Sequence, residues 1–283
     1  MRRVVEGGAM GEARRVAAVV ALAVVSPFGL FAQSAKAGAG MVVVPFVGCR
    51  SDGQTGPRDA PAGGAVEVAA TAAEAKQLAY YRSAEGYGVL APRGWQCFAI
   101  YGSDGGGLYV SPAPLSAANF LGAGAKPLEG EVVAMTEALG DTSGRFEVAK
   151  VMARVFPERR KFVEGVIGEG IEPASAFPFG PYAADRLTYQ SSGMVEYRTA
   201  ANSEGLGTVP RIAKDKEAIS GVAALVGATP DLMLVAVRDR ELWREAVALR
   251  AIPGPQNRNR ASQTACFSLV GDRGAVSAVR IGL

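Results

Sequence analysis

The chain has 283 residues, 49% of them hydrophobic and 20% charged, which is typical of a globular protein with a substantial buried core. It contains no histidine, so Ser-His-Asp and Cys-His catalysis are excluded and zinc sites lose their usual ligand. Its formal net charge of +3 resides entirely in residues 1–37, which leaves the remainder neutral and argues against a nucleic-acid partner.

The first 37 residues have the layout of a secretory signal peptide. Arginines at positions 14 and 15 precede an uninterrupted apolar run, Val16–Val25, and a helix-breaking Ser-Pro-Phe-Gly follows. Small residues permit cleavage after Ser34 or after Ala37. The sequence therefore predicts an exported protein, periplasmic or extracellular, without a stable membrane span after cleavage. The alternative is an uncleaved anchor, but Val16–Ala32 is short of the roughly 20 residues that a span needs.

Residues 38–85 are predicted to form a strand, a turn, a loop and a helix. Valine-rich runs favour strands, and runs rich in glycine and proline favour turns and loops. Thr71 followed by Glu74 has the pattern of a capping box, which marks the start of a helix. The predicted elements are a strand over 41–47 that ends at Gly48, a turn over 51–53, a loop over 58–64 and a helix over 70–83.

Residues 86–114 are predicted to form a three-stranded meander. Its strands are expected over 89–91, 95–100 and 108–110, with a flexible glycine-rich tip over 102–107. Neither this tip nor the glycine-containing stretch 122–126 completes a phosphate-binding or dinucleotide-binding pattern. The sequence therefore predicts no cofactor.

The remaining elements follow from apolar spacing and from turn residues. Apolar residues at helical spacing predict helices, and alternating or continuous apolar runs around short turns predict two hairpins. The predicted elements are a short helix over 115–121, a strand over 131–137, helices over 146–156 (capped by Ser143) and 162–167, hairpins 187–190/194–198 and 219–226/232–237, and a helix over 239–252. The second hairpin is the more apolar and is expected at the buried centre of a sheet.

This order of elements predicts an α+β fold, because hairpins and helices occur in separate blocks. We expect a mainly antiparallel sheet built from hairpins, with helices packed on it. The predicted organisation is a signal peptide over 1–37, a single domain over 38–252, and a poorly packed or disordered tail over 253–283, where polar stretches show little periodicity.

The chain has three cysteines and no C-x-x-C pair. Cys49 and Cys97 both lie on predicted strands, and export would place them in an oxidising compartment, so we expect a disulfide between them. The alternatives are a bond to Cys266, a lipid anchor at Cys49 and a nucleophilic Cys49. Phe46 is a poor residue for a lipid-anchor motif, and a nucleophile would lack a histidine base.

Two motifs resemble a group of uncharacterised exported bacterial proteins. They are VPFVGCRSDGQTGP at 44–57 and GVLAPRGWQCFAIYGSDG at 88–105, and the similarity extends through VEYRTAANSEGLGT to Arg238. The resemblance implies an exported protein, but it supplies no activity, ligand or catalytic residue. The stretch after Ile252 departs from it.

A candidate ligand site comprises polar and aromatic residues near the two paired cysteines: Asp52, Gln54, Arg93, Trp95, Ser103 and Asp104. We expect an exported binding or envelope-associated module with no catalytic residue, metal or cofactor, whose partner is an unknown ligand or an envelope component. The alternative is a carboxylate-dependent hydrolase acting on a glycan-like substrate. Its candidate acids are Asp52, Asp104, Asp185, Glu196 and Glu204.

Overall fold

A computed structural model describes residues 40–208 and 211–238. Its strands are β1 Gly40–Val44, β2 Phe46–Gly53, β3 Val66–Ala70, β4 Leu78–Ser83, β5 Gly88–Pro92, β6 Gln96–Tyr101, β7 Gly105–Ser111, β8 Val132–Ala138, β9 Asp185–Ser191, β10 Met194–Thr199, β11 Ile219–Val226 and β12 Asp231–Arg238. Its helices are α1 Ala72–Gln77, α2 Arg145–Val155 and α3 Arg160–Gly168. None of these helices is long and apolar enough to cross a membrane. The predicted signal peptide, the predicted helix over 239–252, the tail and Cys266 lie outside the described residues.

A ten-stranded sheet with the order β5-β4-β2-β6-β7-β8-β12-β11-β10-β9 dominates the fold, and β1 pairs with β3 apart from it. Neighbouring strands are antiparallel, except that β2 runs parallel to both β4 and β6. The prediction of a mainly antiparallel sheet is therefore confirmed. As predicted, β11 and β12 lie in the interior of the sheet, and most of their residues are buried.

The sheet buries both of its faces. On one face, Met152 of α2 belongs to the same buried cluster as Leu234 of β12. On the other face, β4 and β5 fold back over β7 and β8, so that Tyr81 shares a cluster with Met135. The pair β1–β3 and helix α1 form a third cluster with Tyr80, on the outer side of β4. Three buried clusters therefore stabilise the described part of the chain.

The first predicted strand is divided in two by Pro45, and its predicted end and the turn after it are wrong. Pro45, which has no N–H to donate, separates β1 from β2, and β2 then runs through Gly48 and the predicted turn to Gly53. A Cβ atom at Gly48 would collide with the backbone oxygen of Pro61. This glycine therefore marks a close approach of two backbones within a strand, rather than the end of the strand.

The predicted helix that begins at Thr71 is confirmed only at its start. The Glu74 N–H donates to Thr71 Oγ1 at 3.2 Å, and the Thr71 N–H donates to Glu74 Oε2 at 2.6 Å, which completes the capping box. The helix ends at Gln77, and the next six residues form β4. They form a strand because Tyr80 and Tyr81 are buried on opposite faces, in different clusters.

The three strands predicted over 86–114 are confirmed, but their arrangement as a meander is wrong. Strand β5 pairs with β4, whereas β6 pairs with β2 and with β7, so β5 and β6 are not neighbours. The β6–β7 hairpin remains, but Gly105–Gly107 belong to β7 and not to a flexible tip. Strand β3 is an additional element, and the short helix expected over 115–121 is a single 3-10 turn, Ala117–Asn119.

Cys49 and Cys97 form the predicted disulfide, with their Cα atoms 5.4 Å apart. Cys49 lies where β2 changes its partner: residues 46–49 pair with β4, and residues 50–53 pair with β6. The bond therefore joins β2 to β6 at the point where the folded-back part of the sheet begins. Closing a loop of this length stabilises the folded chain by about 4 kcal/mol in the chain-entropy description.

Replacing both bonded cysteines, Cys49→Ala with Cys97→Ala, is expected to lower the free energy of unfolding by about 4 kcal/mol, because the unfolded chain regains the freedom of the loop. Urea unfolding followed by intrinsic fluorescence measures this change. Dithiothreitol should destabilise the natural chain by a similar amount and leave the double variant unaffected. Equal unfolding midpoints for the natural chain with and without the reductant would contradict this role of the bond.

Candidate functional site

A cavity of about 710 Å³ lies between the sheet and α2. Strands β6, β7, β8 and β12 supply the side chains of its floor: Ile100, Tyr109, Thr136, Leu232 and Leu234. Helix α2 forms one wall, and the others come from the 175–182 segment, Leu206 and Arg211. The cavity is therefore built from parts of the chain that are far apart in sequence.

Glycines shape the end of the cavity next to the β6–β7 turn. Gly105 and Gly106 line it without side chains, which leaves the sheet surface bare there. Gly144, the N-cap of α2, lies so close to the backbone oxygen of Asp104 that a Cβ atom would collide with it. The N-cap of α2 is therefore Gly144 and not the predicted Ser143. The glycine lets the helix begin directly over the β6–β7 turn.

Helix α2 turns a polar stripe toward the cavity. Glu147, Lys150 and Arg154 line it, and their spacing of three and four residues places them on one helix face. Lys150 Nζ lies 2.8 Å from Glu147 Oε1 and 3.1 Å from Glu172 Oε2. Burial lowers the pKa of Lys150, but its bonds to the two carboxylates outweigh this effect and raise the pKa above its usual value. On this part of the wall, one cation is therefore in contact with two carboxylates.

The guanidinium of Arg154 stacks on the ring of Tyr182. Its Cζ atom lies 4.0 Å from the ring centroid, and Nη1 donates to the Gly180 backbone oxygen at 3.5 Å. A stacked arginine of this kind contributes about 0.5–2 kcal/mol. The contact holds the 175–182 segment against the last turn of α2.

Arg211 is half-buried and contributes a second guanidinium to the wall. Burial raises the pKa of the Tyr109 hydroxyl far above its usual value, and the positive charge of Arg211 partly opposes that rise. The backbone holds Arg211 in place, because the Leu128 N–H donates to the Arg211 oxygen at 2.8 Å and the Ala213 N–H donates to the Leu128 oxygen at 2.9 Å. The charge of Arg211 therefore acts on the tyrosine of the cavity floor.

Arg238, at the end of β12, is completely buried and reinforces the same backbone. Its Nε donates to the Gly130 oxygen, its Nη1 to the Ala213 oxygen, and its Nη2 to the Leu128 oxygen at 3.0 Å. Leu128 and Ile212, which follows Arg211, form an isolated β-bridge. The side chain of Arg238 donates hydrogen bonds to both segments of this bridge. Arg238 does not line the cavity, but it fixes the position of a residue that does.

Asp215 supplies the nearest negative charge to this buried arginine. Its Oδ2 lies 4.0 Å from Arg238 Nε and accepts the Gly130 N–H at 2.9 Å. The Gly130 hydrogen bond is the main cause that lowers the pKa of Asp215, and the charge of Arg238 acts in the same direction. The carboxylate thus stays ionised and tied to the segment that precedes β8.

Of the six candidate site residues, only Asp104 lines the cavity. Asp52 lies on β2, and its Oδ1 accepts the N–H of Gly53 at 2.8 Å. Gln54 and Ser103 are exposed, in the segment after β2 and in the β6–β7 turn. The structure therefore places one member of the predicted site in the cavity and leaves the others outside it.

Arg93 and Trp95 have structural contacts instead. Arg93 Nε donates to the Leu78 oxygen at 2.7 Å and Nη2 donates to the Ala75 oxygen at 2.6 Å, at the C-terminal end of α1, where a cation is favourable. The Trp95 N–H donates to the Tyr81 hydroxyl at 3.1 Å. These residues tie the β5–β6 connection to α1 and β4.

The other candidate acids are dispersed. Asp185 Oδ2 accepts the Leu206 N–H at 2.8 Å, and burial raises the pKa of its carboxyl. Glu196 accepts a hydrogen bond from Gln190 at 3.0 Å, on strands β9 and β10. Glu204 lies 3.8 Å from Lys214 at the surface. None of these three carboxylates lines the cavity.

Sequence reasoning missed the charged residues of the cavity wall. The polar stripe of α2 could be predicted from the sequence, because Glu147, Lys150 and Arg154 lie opposite the apolar residues that predict the helix. Arg211 carries no such signal, because its position depends on a bridge between Leu128 and Ile212.

Within residues 40–208 and 211–238, no group of three or more Cys, Asp or Glu residues is arranged to hold a metal ion. Comparisons of the chain with protein-family models, with curated proteins and with solved structures give no match. The interpretation of the cavity therefore depends on its own geometry.

Substituting Arg238→Met is expected to lower the free energy of unfolding by about 3 kcal/mol, because three buried backbone oxygens lose their donor. Urea unfolding measures the loss. Arg238→Lys should recover part of it, since an ammonium group lacks the planar fork of arginine. Arg198→Met, at an exposed position on β10, is the matched control and should change stability little. Equal losses at both positions would contradict the proposed role of Arg238.

Proposed function

We propose that this chain is an exported binding protein that holds a small molecule in the cavity between the sheet and α2. The observation that carries the proposal is the cavity itself: about 710 Å³, with a mostly apolar floor that includes Tyr109 and Thr136, and with charged and aromatic side chains on its walls. Small-molecule sites commonly have volumes of about 300–1,000 Å³, with mostly apolar linings and a few polar groups that orient the ligand.

Export is supported by two independent features. Residues 1–37 have the charge, the apolar run and the cleavage positions of a signal peptide. The disulfide between Cys49 and Cys97 fits an oxidising compartment, in which such bonds persist. The resemblance of the two motifs to exported bacterial proteins agrees with both. We place the chain in the periplasm or outside the cell, where it would meet its ligand.

Binding is favoured over hydrolysis by the arrangement of the carboxylates. A carboxylate-dependent hydrolase needs two carboxyl groups on opposite sides of the bond that it cleaves. Asp104 alone, among the five candidate acids, lines the cavity. Glu137 and Glu147 also line the cavity, but neither carboxylate is free, since Glu147 is bonded to Lys150 and Glu137 has an interaction of its own. We therefore propose no catalytic residue.

An uncharged fluorescent amphiphile tests the proposal without assuming a ligand. We expect N-phenyl-1-naphthylamine to bind to the folded chain with one saturable site. Ala176→Trp should weaken this binding about tenfold or more, because the indole would occupy the cavity that Ala176 lines. A fluorescence titration measures both affinities.

Ala174→Trp is the matched control, because Ala174 belongs to the same 3-10 turn as Ala176 but does not line the cavity. This variant should bind the amphiphile as the natural chain does. If the natural chain shows no saturable binding, or if both variants weaken binding equally, the cavity is not the binding site.

A further inference from the structure

Two arginines of the cavity wall lack a carboxylate partner. Within residues 40–208 and 211–238, no carboxylate oxygen lies within 4.0 Å of a guanidinium nitrogen of Arg154 or Arg211. Lys150, on the same wall, is bonded to two carboxylates. The cavity therefore has one cation in contact with two carboxylates and two cations that contact none within the described residues, although the charge of Arg154 acts on Asp185.

Arg211 is the more exceptional of the two. It is half-buried, and in the described part of the chain its guanidinium makes neither a hydrogen bond nor an ion pair. Partial removal of a charge from water is unfavourable unless another group compensates for it. Its backbone is nevertheless held by Leu128, which Arg238 in turn holds. The fold thus positions a planar, five-donor cation at the cavity and leaves its donors available.

Tyr109 is a polar residue of the cavity floor on which the charge of Arg211 acts. Tyr109 is buried and stacked on Phe120, with ring centroids 4.6 Å apart, so its hydroxyl has little freedom to move. Because burial raises the pKa of this hydroxyl, it remains protonated and able to donate a hydrogen bond. A guanidinium and a phenol that act on the same region favour an oxyanion between them.

The end of the cavity that Asp104 lines is distant from Tyr109. Tyr109 is paired with Ala134 of β8, whereas Gly105, next to Asp104, is paired with Ala138. Four residues along a strand span about 13 Å. An anionic head group near Tyr109 would therefore lie well away from the Asp104 backbone, and the floor also presents Leu234 to the rest of the ligand.

From this arrangement we infer that the ligand of the cavity is an organic anion, with an apolar body on the floor and an oxyanion head group bound by Arg211 and Tyr109. This inference rests on the proposed binding function. A carboxylate and a phosphate offer the same chemistry to an arginine fork, so either head group satisfies it.

Three probes with one ring system separate charge from shape: 1-naphthaleneacetate, its neutral amide, and 1-naphthyl phosphate. We expect the full chain to bind the better of the two anions about tenfold or more tightly than the amide, because hydrogen bonds between charged partners are the strong ones. Calorimetric titration gives the three affinities. The preferred anion identifies the head group as carboxylate or phosphate.

Arg211→Gln should reduce the preference for the anion over the amide to about one. Arg159→Gln, at an exposed position in the turn before α3, is the matched control and should keep the preference. An unchanged urea unfolding midpoint verifies that the Arg211→Gln variant is folded, because the Arg211 guanidinium makes no hydrogen bond or ion pair within the described residues.

The failures of the two proposals are distinguishable. If the uncharged amphiphile binds but the anions bind no better than the amide, the inference is wrong and the binding function stands. The inference is equally overturned if Arg211→Gln keeps the preference for the anion. If the amphiphile does not bind, the proposed binding function itself fails.

Discussion

Strand β2 belongs to two parts of the sheet, because it pairs with β4 before Cys49 and with β6 after it. This change of partner lets one continuous sheet fold back, so that β4 and β5 cover a face of β7 and β8. Gly48 permits the close approach of the chain at Pro61, and the bond to Cys97 fixes the two strands at the point of exchange. The layered arrangement of the buried clusters depends on this point.

The folded-back strands and the cavity lie on opposite faces of the sheet. Strands β6 and β7 connect them: Cys97 is bonded to β2, Leu108 packs under β4 and β5, and Tyr109 belongs to the cavity floor. One face is thus filled by the chain itself, and the other is only partly filled by α2. The disulfide joins strands of the sheet, whereas the proposed ligand site lies between the sheet and α2. Arg238, which pairs with Val132 at the start of β8, holds the backbone of Arg211 through Leu128.

Local patterns predict much of this fold, including the capping box at Thr71, the strands around 187–198 and 219–237, and the Cys49–Cys97 bond. They fail where pairing is remote in sequence. Gly48 is typical of a turn, yet it lies within a strand because Pro61 approaches it, which no local rule indicates. The cavity is harder still to predict, since Arg211 reaches it through a bridge to the segment before β8. Of the charged residues of the cavity wall, only those of the polar stripe on α2 could be predicted from helical spacing.

Hydrogen–deuterium exchange with and without saturating N-phenyl-1-naphthylamine tests most directly whether the ligand binds between the sheet and α2. Binding there should slow amide exchange in α2, in the 175–182 segment and in β12. Exchange in β1, β3 and α1 should not change, because these elements lie beyond the folded-back strands and do not line the cavity. Saturated binding that protects β1, β3 and α1, or that leaves α2 unprotected, would contradict the account.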